Sequence, residues 1–148
     1  MGSSDEWCVS VGVRIPVELK KGDRVVRTVA LVNSGYETDE AEIHIPLALA
    51  RKLGFALESI KSERYRVVGS EVTTYVLGTI TVRVLTEDRS TGWVNARAVS
   101  VPGEYEVILS DALTEELGVV IVKPRSGLWR FVDEEKVRES EEPVYWVE

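Results

Sequence analysis

Glutamine is missing altogether from this 148-residue sequence, cysteine and histidine occur once each, and asparagine occurs only at Asn33 and Asn95. Each scarcity excludes something. Cys8 has no partner for an internal disulfide, and together with His44 it is too little for a Cys/His metal centre, so neither a metal nor another cofactor is expected. Cys8 reads as a structural thiol. No window approaches the ~18 consecutive apolar residues of a membrane span, and Met1 to Ser10 lacks the basic start and apolar stretch of a secretion signal. A soluble, cytoplasmic protein without a membrane partner is the expectation. Clustered basic charge is also lacking. With a net charge of −7, the chain has no phosphate-neutralising surface on which nucleic-acid affinity rests, so no nucleic-acid partner is expected.

What is present is a skewed polar set, 19 Glu and 12 Arg, the composition that proteins of thermophiles tend to have. With 44% apolar residues, the chain is long enough to bury most of its unfolded surface as one domain. Apolar residues fall on every second position from Val9 to Leu19, the period of a half-buried strand. Lys21-Gly22-Asp23 reads as a hairpin turn. Val25 to Val32 is apolar at nearly every position, a central strand running straight into Asn33-Ser34-Gly35.

Tyr36 to Glu42 is polar. Its acids, Glu37, Asp39, Glu40 and Glu42, read as a solvated loop in preference to oxygen ligands for a cation. His44, flanked by Ile43 and Ile45, is expected on the opposite face of a strand, toward solvent. Pro46 to Leu53 reads as a helix stopped by Gly54. Tyr65 to Val68 and Val72 to Leu77 read as two strands around Gly69-Ser70-Glu71, followed by separate strands over Thr79 to Leu85 and Trp93 to Val101.

Val107-Ile108-Leu109 ends at Ser110, an N-cap for a helix carrying Leu113 and Leu117 and closed by Gly118. Val119 to Val122 and Leu128 to Phe131 are the last strands, with Trp129 and Phe131 closing the core. The expected domain is therefore 9–131. Residues 132–148 are expected as an acidic linker and an aromatic end, Val144-Tyr145-Trp146-Val147, that docks on its own subunit, on a twin, or on another protein.

In this order of elements, the strand running into Asn33-Ser34-Gly35 and the run Ile108-Leu109-Ser110 before a helix ending in Leu117-Gly118 resemble the retropepsin-like aspartic proteases over about Val9 to Phe131. The resemblance implies a mainly β fold, a closed acid-protease β-barrel with two short helices. It implies a homodimer in which each copy contributes one Asp-Thr/Ser-Gly triplet, since Arg89-Ser90-Thr91-Gly92 and Arg125-Ser126-Gly127 lack the acid. By the same resemblance Asn33, Ser34 and Gly35 stand at the catalytic triplet, Gly69, Ser70 and Glu71 at a flap over the substrate, and Ile108 and Leu109 at the cleft wall.

The departure is Asn33. Two neighbouring carboxylates share a proton, one activating water and the other donating to the scissile carbonyl. A carboxamide has no proton to exchange near neutral pH, and losing a general base costs about 10² to 10⁴ in rate. The expectation is a catalytically silent homodimer, a pseudoenzyme binding an extended peptide or protein segment. The alternative is an active aspartic endopeptidase, if Asn33 replaces an aspartate or converts to one. Two further departures are Ser110, where the family carries Gly, and Asp111, where an arginine would brace an acid such as Glu37. That brace is expected to be missing or rebuilt.

Overall fold

Gly22 makes the first turn possible. Its φ of +59° lets Lys21 pair with Arg24 at the end of the antiparallel ladder joining β1 (Val13–Lys21) to β2 (Arg24–Val32). The computed structural model describes residues 12–33, 35–57, 61–67 and 70–147, with backbone alone at 61–67 and 70–72. Cys8, Ser34 and Gly69 lie outside the described residues. After β2 come β3 (Glu42–His44), α1 (Leu47–Lys52), β4 (Lys61–Val67), β5 (Ser70–Val84), β6 (Val94–Ser100) and β7 (Val107–Leu109). They are followed by α2 (Asp111–Glu116), β8 (Val119–Lys123), β9 (Leu128–Phe131) and β10 (Arg138–Glu139).

Six strands close into a barrel in the order β1-β2-β7-β3-β6-β5, with β5 returning to β1 through pairs from Val17↔Val84 to Lys20↔Thr81. The fold is thus mainly β, a closed barrel with two short helices. Val13, Ile15, Val17 and Leu19 of β1 pack with Ile43, Ile80, Val82, Leu109 and the helix residues Leu49 and Leu113, all at most 2% exposed. Trp129 and Phe131 join this core in an edge-to-face contact with ring centroids 5.1 Å apart. Among the described residues no helix is long and apolar enough to cross a membrane.

Three expectations change. The strands expected over Val72 to Leu77 and Thr79 to Leu85 are one strand, β5, and Ser70 and Glu71 belong to it rather than to a turn. The register on β6 slips between Val76 and Gly78. Gly78 takes φ +134°, a conformation that side-chain-bearing residues rarely adopt, so the strand kinks without ending. Strand β1, expected to be half-buried, is covered on both faces, because Arg14 and Glu18 on its polar face are buried in ion pairs with Glu106 and Arg83.

The stretch after Val132, expected as a linker, is bound to the body by polar contacts that hydropathy does not register. Arg138 and Glu139 pair with Trp129 and Leu128 of β9. On the edge of β1 that β5 joins only from Val17 onward, the Arg14 N–H donates to Ser140 Oγ (3.0 Å) and the Arg14 carbonyl accepts from Glu141 N–H (2.9 Å). The aromatic end docks on its own chain: Trp146 Nε1 donates to Thr28 Oγ1 (3.1 Å) and Trp146 N–H to the Tyr105 carbonyl (2.8 Å).

Candidate functional site

Strand β7 decides where Asn33 goes. It lies between β2 and β3, parallel to the first through Ala30↔Val107, Leu31↔Ile108 and Val32↔Leu109, and antiparallel to the second through Ile43↔Leu109 and His44↔Ile108. With a strand inserted between them, β2 and β3 cannot be joined by a hairpin turn. The connection from Asn33 to Ala41 must instead pass over the end of β7.

That connection is held by its own polar groups. Asn33 Oδ1 accepts the Gly35 N–H at 2.9 Å, and the Asn33 carbonyl accepts the Tyr36 N–H at 3.0 Å, the side-chain and main-chain closure of a tight turn. Tyr36 Oη donates to Glu42 Oε2 at 2.6 Å. The second signature anchors the far side. Ser110 Oγ, fully buried, accepts from Leu113 N–H (3.2 Å) as the N-cap of α2 and from Glu42 N–H (3.0 Å), while Ser110 N–H donates to the Glu42 carbonyl (3.0 Å). Asp111 joins the loop through its main chain, its N–H donating to the Tyr36 carbonyl at 2.8 Å. With an acid at both positions, Glu37 and Asp111 cannot form the arginine–acid brace. Asp111 lies in the first turn of α2, where a negative charge suits the helix dipole.

Asn33, Gly35 and Ile108 line one open cleft of about 1110 Å³, together with the acidic loop, His44, Arg97 and Thr74 of β5. Asn33 and Gly35 are exposed, and Ile108 is half-buried. Leu109 is not part of the cleft; it is fully buried in the core on the other side of β7. Ser70 and Glu71 open β5, described in backbone only. The sequence reading missed Tyr36, Thr74, Arg97 and Glu104 as cleft residues, since pairing across the barrel is what brings them there.

His44 does not face solvent. Alternation puts it opposite Ile43 and Ile45, but the segment before β7 covers that side, and the residue is only 4% exposed. Nδ1 lies 2.8 Å from the Glu106 carbonyl. A carbonyl only accepts, so Nδ1 carries the proton and Nε2 presents a lone pair, with no hydrogen-bond partner. Burial pushes the ring's pKa below its ordinary value, against the pull of the Glu106 carbonyl, the Glu104 charge and the Val101 carbonyl. Among the described residues, no group of three or more His, Cys, Asp and Glu is arranged to hold a metal ion. Compared with known proteins, the chain matches no family model and no curated protein.

Proposed function

We propose that the chain acts as a homodimer with the cleft of a retropepsin-like aspartic protease but without its hydrolysis, binding an extended peptide or protein segment. One observation carries the reading. Asn33 at the end of β2 shares a cleft with Ile108 of β7 and Thr74 of β5, the strand that extends beyond the barrel to pair with β4. The resemblance implies the same meeting of triplet, second signature and flap. Strand β4 ends its sheet, so its outer edge carries open ladder groups among the described residues, to which an extended ligand can add as a further strand. The chain has a single triplet, whose Asn33 and Gly35 are exposed at the cleft, so a complete site of this kind needs two copies. A carboxamide there supports binding and not water activation.

The test joins three measurements on the full chain: solution mass, capture of labelled protein on an array of extended peptides, and mass spectrometry of the captured peptides. Twice the chain mass, discrete captured sequences and intact peptides are expected. A monomer that captures nothing would sink the reading, and cleavage by the unaltered chain would overturn its silence. A second reading, an aspartic endopeptidase once Asn33 is aspartate, is favoured by the Gly35 N–H bond to Asn33 Oδ1, which a carboxylate oxygen accepts equally well.

A further inference from the structure

We propose that the segment held in this cleft is basic, carrying lysine or arginine along an extended backbone; this rests on the peptide-binding reading above. Among the described residues lining the cleft, Glu37, Asp39, Glu40, Glu42 and Glu104 bring five carboxylates against one guanidinium, that of Arg97. Two of these acids are partnered: Arg97 Nη1 lies 3.8 Å from Glu42 Oε1 and Tyr36 Oη donates to Glu42 Oε2, while Glu104 Oε1 accepts the Glu106 N–H at 3.4 Å. Glu37, Asp39 and Glu40 are exposed and form no ion pair with any described residue. Acids of one sign along a concave surface repel each other and focus a negative potential into the groove, which attracts and orients a cationic ligand. Among the described residues these acids do not converge as metal ligands, which suits cations carried on a chain better than a single metal ion.

His44 points the same way independently. The residue lines the cleft, it is only 4% exposed, and its Nε2 has no hydrogen-bond partner. A buried acceptor left unpaired is costly. A donor-rich group entering the cleft is what can satisfy it, and the ammonium and guanidinium groups are donors with no acceptor atom.

Three peptides of one length and one apolar content, carrying Lys/Arg, Ser/Asn or Glu/Asp at alternate positions, are titrated into the full chain by fluorescence anisotropy. The basic peptide is expected to bind about tenfold tighter than the neutral one. That advantage is expected to shrink with added salt and to vanish in the Glu37→Gln/Asp39→Asn/Glu40→Gln variant, whose changes are exposed and leave the barrel untouched. His44 is the only histidine, so its imidazole ¹⁵N signals are unambiguous, and the Nε2 signal is expected to move on saturation with the basic peptide. Equal or tighter binding of the neutral or acidic peptide overturns the inference and leaves the cleft reading standing. Undiminished preference in the triple variant, or an unmoved Nε2 signal, also overturns it. Binding of none of the three peptides brings down both.

Discussion

The side-chain oxygen of Asn33 and the main-chain N–H of Gly35 are hydrogen-bonded at 2.9 Å, so the residue at the mouth of the cleft is held by the turn it opens. Asn33→Asp keeps that acceptor and changes only the amide nitrogen to oxygen. Stability is expected to stay within about 0.5 kcal/mol, as for most exposed substitutions. If two copies bring their triplets together, the new carboxylates share a proton, and cleavage of unstructured peptides should emerge in the acid range, about pH 3 to 6. Product analysis by mass spectrometry checks this; a dimeric variant that leaves every peptide intact would refute it.

Arg14 and Glu106 form a buried two-point ion pair, Nε to Oε2 at 2.7 Å and Nη2 to Oε1 at 2.8 Å, tying β1 to the segment before β7. Removing one charge strands the other in a dry environment. Glu106→Gln should therefore cost about 3–5 kcal/mol, whereas replacing both residues by leucine should recover much of the loss. Urea midpoints at unchanged slope give the comparison.

Ser110→Ala removes one oxygen that serves two N–H groups, Leu113 of α2 and Glu42 of β3. A loss of about 1–3 kcal/mol is expected. Amide exchange at those two residues should accelerate more than in β1, which a general loss of stability would not produce.

His44 makes stability depend on pH. Its folded pKa lies below the ordinary 6.5, so just below that pH the unfolded chain binds a proton that the native ring refuses. The contribution is complete above about pH 6.5 and falls as the pH drops below it, by at most about 1.4 kcal/mol per pH unit. His44→Phe should flatten this part of the curve. Denaturant midpoints measured from neutral to mildly acid pH give the slope, and an unchanged slope in the variant would assign it elsewhere.

Asp88 binds Arg138 through two hydrogen bonds (2.6 and 3.0 Å) and Lys136 through one (3.2 Å), while Glu134 binds Arg138 at 3.1 Å. The Arg138 guanidinium foremost holds both carboxylates below their ordinary range. Their support is present above that range and is lost as the pH falls through it toward the depressed values. Hydrogen exchange in 132–147 is expected to rise in acid before exchange in β1 and β2, and Arg138→Ala should give the same pattern at neutral pH. Equal protection of both regions under acid would contradict this.

Much of the barrel is legible in local pattern. The Gly22 turn, the proline-opened helix ended by Gly54, the Ser110 cap, and Trp129 with Phe131 as core all follow from spacing and from what single residues permit. The same local chemistry marks Asn33-Ser34-Gly35 as a strand-end turn. Alternation gives the face a side chain occupies, and for His44 it gave that face. It does not give what covers the face, because the covering segment lies some sixty positions away along the chain. Hydropathy likewise passes over Ser140, Glu141 and Arg138, whose attachment is by hydrogen bonds. Nor does it register the kink at Gly78, which keeps β5 one strand.

The sequence by itself determined the strand-rich composition, the acidic charge, the turns and caps, and the carboxamide at position 33, because these depend on neighbours within a few residues. The tertiary structure alone decided that β7 lies between β2 and β3. It also decided that five acids and a buried imidazole line one cleft with Asn33, and that the C-terminal tryptophan docks on its own chain. Those outcomes depend on pairing between strands far apart in the chain, and that pairing is set by closure of the whole barrel.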